Sequence, residues 1–129
     1  MPELAEVAFA IKAWKSGMGD VVAKVQTKDV SRVFRDIDPA KVKNGLRGAT
    51  LTGAETHGKK ILFRFSANRW LGIHLGMTGW LFSEDTAYLA GKHDALVLRQ
   101  HGRSLVFRDP RQFGRVLYHR GKDAPTWWS

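Results

Sequence analysis

The chain has 129 residues, 43% of them hydrophobic, enough for one domain with its own core. It contains no cysteine, which excludes disulfides and thiolate zinc sites, and no apolar run approaches the roughly 18–20 residues that span a bilayer. The net charge of +9, from 21 Lys plus Arg against 12 Asp plus Glu, favours a polyanionic partner, nucleic acid first, although solubility charge would also account for it. The start lacks the basic-then-apolar layout of a signal peptide, so a soluble, cytoplasmic protein is expected.

In LAEVAFAIKAWKSG, Leu4, Val7, Ile11 and Trp14 recur at three- and four-residue spacing and predict an amphipathic helix, stopped by Gly17 and Gly19. VVAKVQTKDV alternates well enough for a strand, with Val21, Ala23, Val25 and Thr27 sharing a face. DPAKVKNGLRG predicts a short second helix, capped by Asp38 and opened by Pro39. From residue 50 the period becomes two. Strands are expected around Leu51–Thr56, Lys60–Phe65, Trp70–Leu75, Leu81–Phe82, Ala95–Arg99, Ser104–Arg108 and Val116–His119, separated by turn signals. The expected class is therefore α+β, mainly β: an antiparallel β-sandwich or flattened barrel, flanked by an N-terminal helix and a second short helix. The ending, KDAPTWWS, leaves two adjacent indoles without an element to bury them. Either they fold back onto the sandwich, or the natural chain continues beyond Ser129; the second reading is favoured.

Four stretches carry residues that can do chemistry. In MPELAEV, removal of Met1 would leave Pro2 as a free secondary amine with Glu3 beside it. An unprotonated terminal amine can attack an aldehyde-like carbon, and a neighbouring carboxyl can carry the proton. Pro and Glu also suit the first turn of any helix. In ETHGKKILFRF, Gly58 permits a sharp entry into a strand, and Lys59 and Lys60 are expected to point to opposite faces, one of them towards a phosphate or reaction centre. In GIHLGMTGW, Met77 sits on a glycine-flanked turn where it can wedge between bases or fold back into a core gap, and His74 can donate to a phosphate. In FRDPRQFGR, Arg111 and Phe113 are two residues apart and should project together, while Asp109 can pair with Arg111 across the turn.

MPELAEV, THGKKIL, HLGMTG, KHDALV and DPRQFG, in this order across nearly the whole chain, resemble the amino-terminal catalytic domain of the formamidopyrimidine-DNA glycosylase and endonuclease VIII family. The resemblance implies a bifunctional glycosylase and AP lyase of base-excision repair, acting on double-stranded DNA with oxidised bases or abasic sites. It implies Pro2 as Schiff-base nucleophile, Glu3 as acid/base, Glu6 as the second acidic position and Lys59 at the phosphate and reaction centre, with Lys60 fitting the pattern less well. His74 resembles a phosphate contact, and Met77, Arg111 and Phe113 the trio that fills the gap left by an extruded base. No metal or redox cofactor is required for such steps. The family's helix–two-turn–helix and zinc-finger domains are not in residues 1–129, and a cysteine zinc finger cannot form without cysteine. A monomer is expected. Ala5 and Ala8 depart from the usual PELPEVE start. HLGMTG is closer to the oxidised-purine branch and ETHGK to the oxidised-pyrimidine branch. A non-catalytic DNA-binding module on the same scaffold is the alternative.

Overall fold

The computed structural model describes residues 4–128, with Leu4 described by its backbone only; Pro2 and Glu3 lie outside the described residues. The described elements run α1 (Leu4–Lys15), β1 (Val22–Thr27), a 3-10 turn (Arg32–Phe34), α2 (Pro39–Leu46), β2 (Leu51–His57), β3 (Lys60–Phe65), β4 (Arg69–His74), β5 (Trp80–Glu84), β6 (Asp94–Gln100), β7 (Ser104–Arg108), β8 (Arg115–Arg120) and a 3-10 turn (Thr126–Trp128). Two four-stranded antiparallel sheets, ordered β1-β6-β7-β5 and β2-β3-β4-β8, face each other. Their inner faces carry the alternating residues the period-two pattern requires: Ile61, Phe63, Phe65, Leu71 and Ile73 from one sheet, Leu96, Leu98, Leu105 and Phe107 from the other. The expected sandwich with two flanking helices is what the chain forms.

Helix α1 docks through Val7, Ala10, Ile11 and Trp14, all buried. Trp14 ties it to both sheets: the ring lies 4.8 Å from Phe63 on β3, and its Nε1 donates to the carbonyl of Val106 on β7 at 3.1 Å. Helix α2 starts as expected, with the Asp38 carboxylate accepting from the Ala40 amide at 2.9 Å and Pro39 in the first turn.

The face expected for β1 needs correction. Val22 and Val25 are buried, whereas Val21 and Ala23 are exposed. The register slips between Val22 and Lys24 against β6, so one extra residue is accommodated and the inward set changes parity. Nothing in VVAKVQ marks that bulge. The 3-10 turn at Arg32–Phe34, opened by Ser31, was also not foreseen; it buries Val33 and Phe34 and lies against β8. Lys59 sits in the β2–β3 turn rather than in a strand, which begins at Lys60.

A candidate nucleic-acid interface

On the face of the β2-β3-β4-β8 sheet turned away from the core, pairing register fixes which side chains stand in line. His57, Lys60, His74 and Arg115 form one row across the four strands, and Glu55, Leu62, Gly72 and Leu117 the next. Directly opposed residues on such a row have Cβ atoms about 5 Å apart, so the charges of Lys60 and Arg115 flank His74 on its two sides. Trp127 lies on the second row. A Cβ added to Gly72 would come within 2.6 Å of its ring, so the backbone there is the floor the indole rests on. Trp128 meets His57 edge to face at 6.1 Å. The two C-terminal tryptophans thus pack back on the sheet, the reading that the sequence ranked second. Lys60, His74, Arg115, Gly72, Leu117 and the two tryptophans, together with Arg35, Ile73 and Phe113, line a groove of about 540 Å³ with both basic and aromatic walls.

His74 reports the field in that groove. Partial burial depresses its pKa below the ordinary imidazole value, and the nearby charges of Lys59, Lys60, Arg115 and Arg35 depress it further. Its Nδ1 accepts from the Gly76 amide at 3.0 Å, which leaves Nε2–H of the neutral ring as a donor. The ring thus adds an N–H donor to a cluster of four cationic side chains.

At the edge of the groove two loops form one body. Gly76 has φ of 63°, and a Cβ there would stand 2.7 Å from the Gly114 nitrogen and 2.8 Å from the Phe113 carbonyl carbon, so HLGMTG and DPRQFG touch backbone to backbone. Asp109, 1% exposed, fastens them: its carboxylate accepts from the Thr78 hydroxyl at 2.6 Å and from the Gly114 amide at 2.8 Å. The Arg111 amide donates to the same Thr78 hydroxyl at 3.3 Å. Asp109 therefore serves the junction of the loops and forms no pair with the Arg111 side chain, contrary to one sequence reading. What the junction presents outward is Met77, 49% exposed, and Phe113, 48% exposed, with the Arg111 guanidinium 4.8 Å from the Phe113 ring. Arg111 and Phe113 project together as their spacing implied, and Met77 stays out of the core.

The remaining expected residues are less concentrated. Glu6 is exposed in the first turn of α1. Lys59 lies at the turn that closes β2–β3, close enough to His74 to perturb it, while Lys60 is the lysine that lines the groove. A second, smaller groove of about 380 Å³ runs between α1 (Val7, Ile11, Lys12) and β2 with its following turn (Glu55, Gly58), so the start of α1 and the Lys59 turn are neighbours. In KHDALV, Asp94 is buried and structural. Burial opposes its ionisation, but hydrogen bonds from Arg108 at 2.8 Å, from Tyr88 and from the Gly91 amide at 2.6 Å outweigh it and hold the pKa below the usual carboxylate value.

A profile of the formamidopyrimidine-DNA glycosylase N-terminal domain matches residues 1–116. The chain belongs to this family. The formamidopyrimidine-DNA glycosylase of Pelobacter propionicus is 35% identical over 121 residues, covering 92% of this chain and 44% of the relative; that of Burkholderia lata is 38% identical over 124 residues, covering 92% and 43%. The chain thus spans less than half the length of the glycosylases it matches. A Lactococcus lactis formamidopyrimidine-DNA glycosylase, solved non-covalently bound to DNA containing an AP site, superposes with a TM-score of 0.81 at 24% identity over 92% of this chain and 45% of that one. A mutant of the Lactococcus lactis protein, in complex with Fapy-dG containing DNA, gives 0.81 at 25% over 92% and 44%. The glycosylase N-terminal fold accounts for both sheets and both helices.

Sequence reasoning missed Arg35, Gln112, Thr78 and Arg115. The last could be had only from the register of β8, and the first two depend on a loop contact across almost eighty residues of sequence.

Proposed function

We propose that the chain is the catalytic amino-terminal half of a bifunctional DNA glycosylase and AP lyase that excises oxidised bases. The observation that carries this reading is the junction of the two loops: two apolar side chains and a guanidinium, held outward on a buried carboxylate, beside a cationic groove. Extruding a base costs a few kcal/mol, and Phe113 and Met77 would occupy the vacated space while Arg111 bonds the orphaned partner base. His74 and Lys60 would hold phosphates flanking the site.

In the reaction, the Pro2 nitrogen attacks C1′ of the damaged nucleotide, and the base departs with its bonding electrons and a proton. Glu3 protonates the ring oxygen as the sugar opens, giving an iminium between Pro2 and C1′. That cation is an electron sink. Loss of a C2′ proton expels the 3′ phosphate, a second elimination expels the 5′ phosphate, and water frees the amine. Glu6 and Lys59 would assist, Lys59 by holding a phosphate at the reaction centre. Double-stranded DNA with oxidised bases or abasic sites is the substrate class, and the chain acts as a monomer without a cofactor of its own.

Binding tests the carrying observation. Affinity for a duplex with one abasic analogue should exceed that for the intact duplex. Replacing Met77 and Phe113 together by Ala should remove about tenfold of that preference, with intact-duplex affinity almost unchanged, since stacking contributes about 1–3 kcal/mol per base. Equal loss on both duplexes would contradict the wedge role.

His74 offers a check through pH. Its depressed pKa means the free fold is stabilised by the neutral ring and loses that contribution as pH falls below about 6.5 towards the native pKa. A phosphate beside Nε2 reverses the balance. NMR titration of the imidazole should show the pKa rising when duplex DNA is added, so affinity should increase on acidification; an unmoved His74 pKa would remove it from the phosphate contacts.

A further inference from the structure

The outward loop carrying Phe113 is gripped from behind by a segment with no assigned part in the chemistry. Arg35 follows the 3-10 turn at Arg32–Phe34 and extends one guanidinium into a set of backbone carbonyls. Its Nη1 donates to Arg32 O at 2.6 Å, Gly114 O at 2.8 Å and Gln112 O at 3.3 Å, and its Nη2 to Phe113 O at 3.2 Å. The grip is returned. Gln112 stands at φ of 59°, and its Oε1 accepts from the Arg32 amide at 2.8 Å. That amide is among the first of a 3-10 turn, which lacks a partner within the turn itself. Next in sequence, Asp36 pairs with Arg115 at 2.6 Å, just past the other end of the loop.

We propose that Arg35, latched by Gln112, is a positioning residue that sets where the Phe113 ring stands and thereby how well the protein distinguishes a gapped base stack from an intact one. The inference rests on the wedge reading above and deepens it. The physical basis is the fork of the guanidinium. Three consecutive carbonyls, from Gln112 to Gly114, converge on donors fixed in one plane, so the backbone on both sides of the Phe113 side chain is held by one rigid group. A non-glycine residue at positive φ persists when its surroundings over-determine it, and here they do so from two directions. Both Nη nitrogens of Arg35 donate to carbonyls of the loop or its own turn, so its terminal fork serves the backbone even where the residue borders the groove.

The test compares Arg35→Lys, which keeps the charge and loses the fork, with Arg35→Met, which keeps only the stem. Hydrogen exchange of the Gly114 amide, which is buried and bonded to Asp109, reads the brace in the free protein without DNA, and both variants should speed it at least tenfold. On DNA, both should lose about tenfold of the preference for abasic over intact duplex, while the slope of affinity against salt stays that of the parent. Three results would overturn the proposal. One is unchanged amide exchange. Another is full preference in Arg35→Lys. The third is a slope lowered by about 0.9 with both duplexes weakened alike, which would make Arg35 a phosphate contact instead. If the parent itself shows no abasic preference, the wedge reading fails on that measurement, whereas the exchange rates still judge the brace. Should Arg35→Met fail to fold, Arg35→Lys carries the comparison.

Discussion

Borohydride added to the chain and a duplex with one natural abasic site is expected to yield a covalent protein–DNA adduct, and blocking the amine of Pro2 is expected to abolish it. Only an unprotonated nitrogen with a free valence can form the iminium that hydride reduces, and an extra residue ahead of Pro2 converts that nitrogen to an amide. Loss should exceed a hundredfold, with duplex binding retained, because the described residues that line the groove and join the loops keep their side chains when the amine is blocked. The blocked form is the necessary comparison because the exposed lysines Lys12, Lys15 and Lys24 can also form Schiff bases slowly. An adduct that survives the block in full yield would move the nucleophile elsewhere, Lys59 or Lys60 being nearest the groove. A chain that binds duplex but traps nothing would be the non-catalytic module.

Asp109→Ala should be the most damaging single change at the interface. The carboxylate is 1% exposed and receives the Thr78 hydroxyl and the Gly114 amide. Removing it strands both donors in a place water does not readily reach, at about 1–3 kcal/mol each before any relaxation. We expect about 2–4 kcal/mol of lost stability in urea unfolding, and loss of abasic preference beyond that of the Met77 and Phe113 replacements, because both loops are released together. Asp109→Asn should be milder. Its amide oxygen can keep one of the two bonds, and its NH2 cannot accept the other. A stability within about 0.5 kcal/mol of the parent for Asp109→Ala would mean the loops are joined by their backbones alone.

Much of the frame could be read from residue pattern. The stripe Val7, Ile11, Trp14 marked α1, and alternation in KILFRF and WLGIHL marked β3 and β4 to within a residue of their bounds. The outward trio was legible in part. For Met77 the sequence left an outward wedge and a core filler both open, and the structure takes the outward one; Arg111 and Phe113 project together, as their spacing predicted. What failed has a common cause. The bulge at β1 depends on how β6 pairs with it, the charge row depends on the register of β2, β3, β4 and β8, and the Arg35–Gln112 latch joins distant segments. Each is a long-range pairing, and a local window carries no term for it. The lysines show the same limit on a smaller scale. Alternation could say that Lys59 and Lys60 differ, but the turn, not a strand, holds Lys59, and the register with His74 is what sets Lys60 beside the groove.

Fluorescence of 2-aminopurine placed opposite an abasic analogue tests the central claim most directly, since it asks whether the joined loops enter the gap. Adding the chain should unstack the probe and raise its emission, with no rise on an intact duplex and none with Met77 and Phe113 both changed to Ala. Emission that rises equally for that double variant, or for intact duplex, would mean that the junction of the two loops does not enter DNA at all.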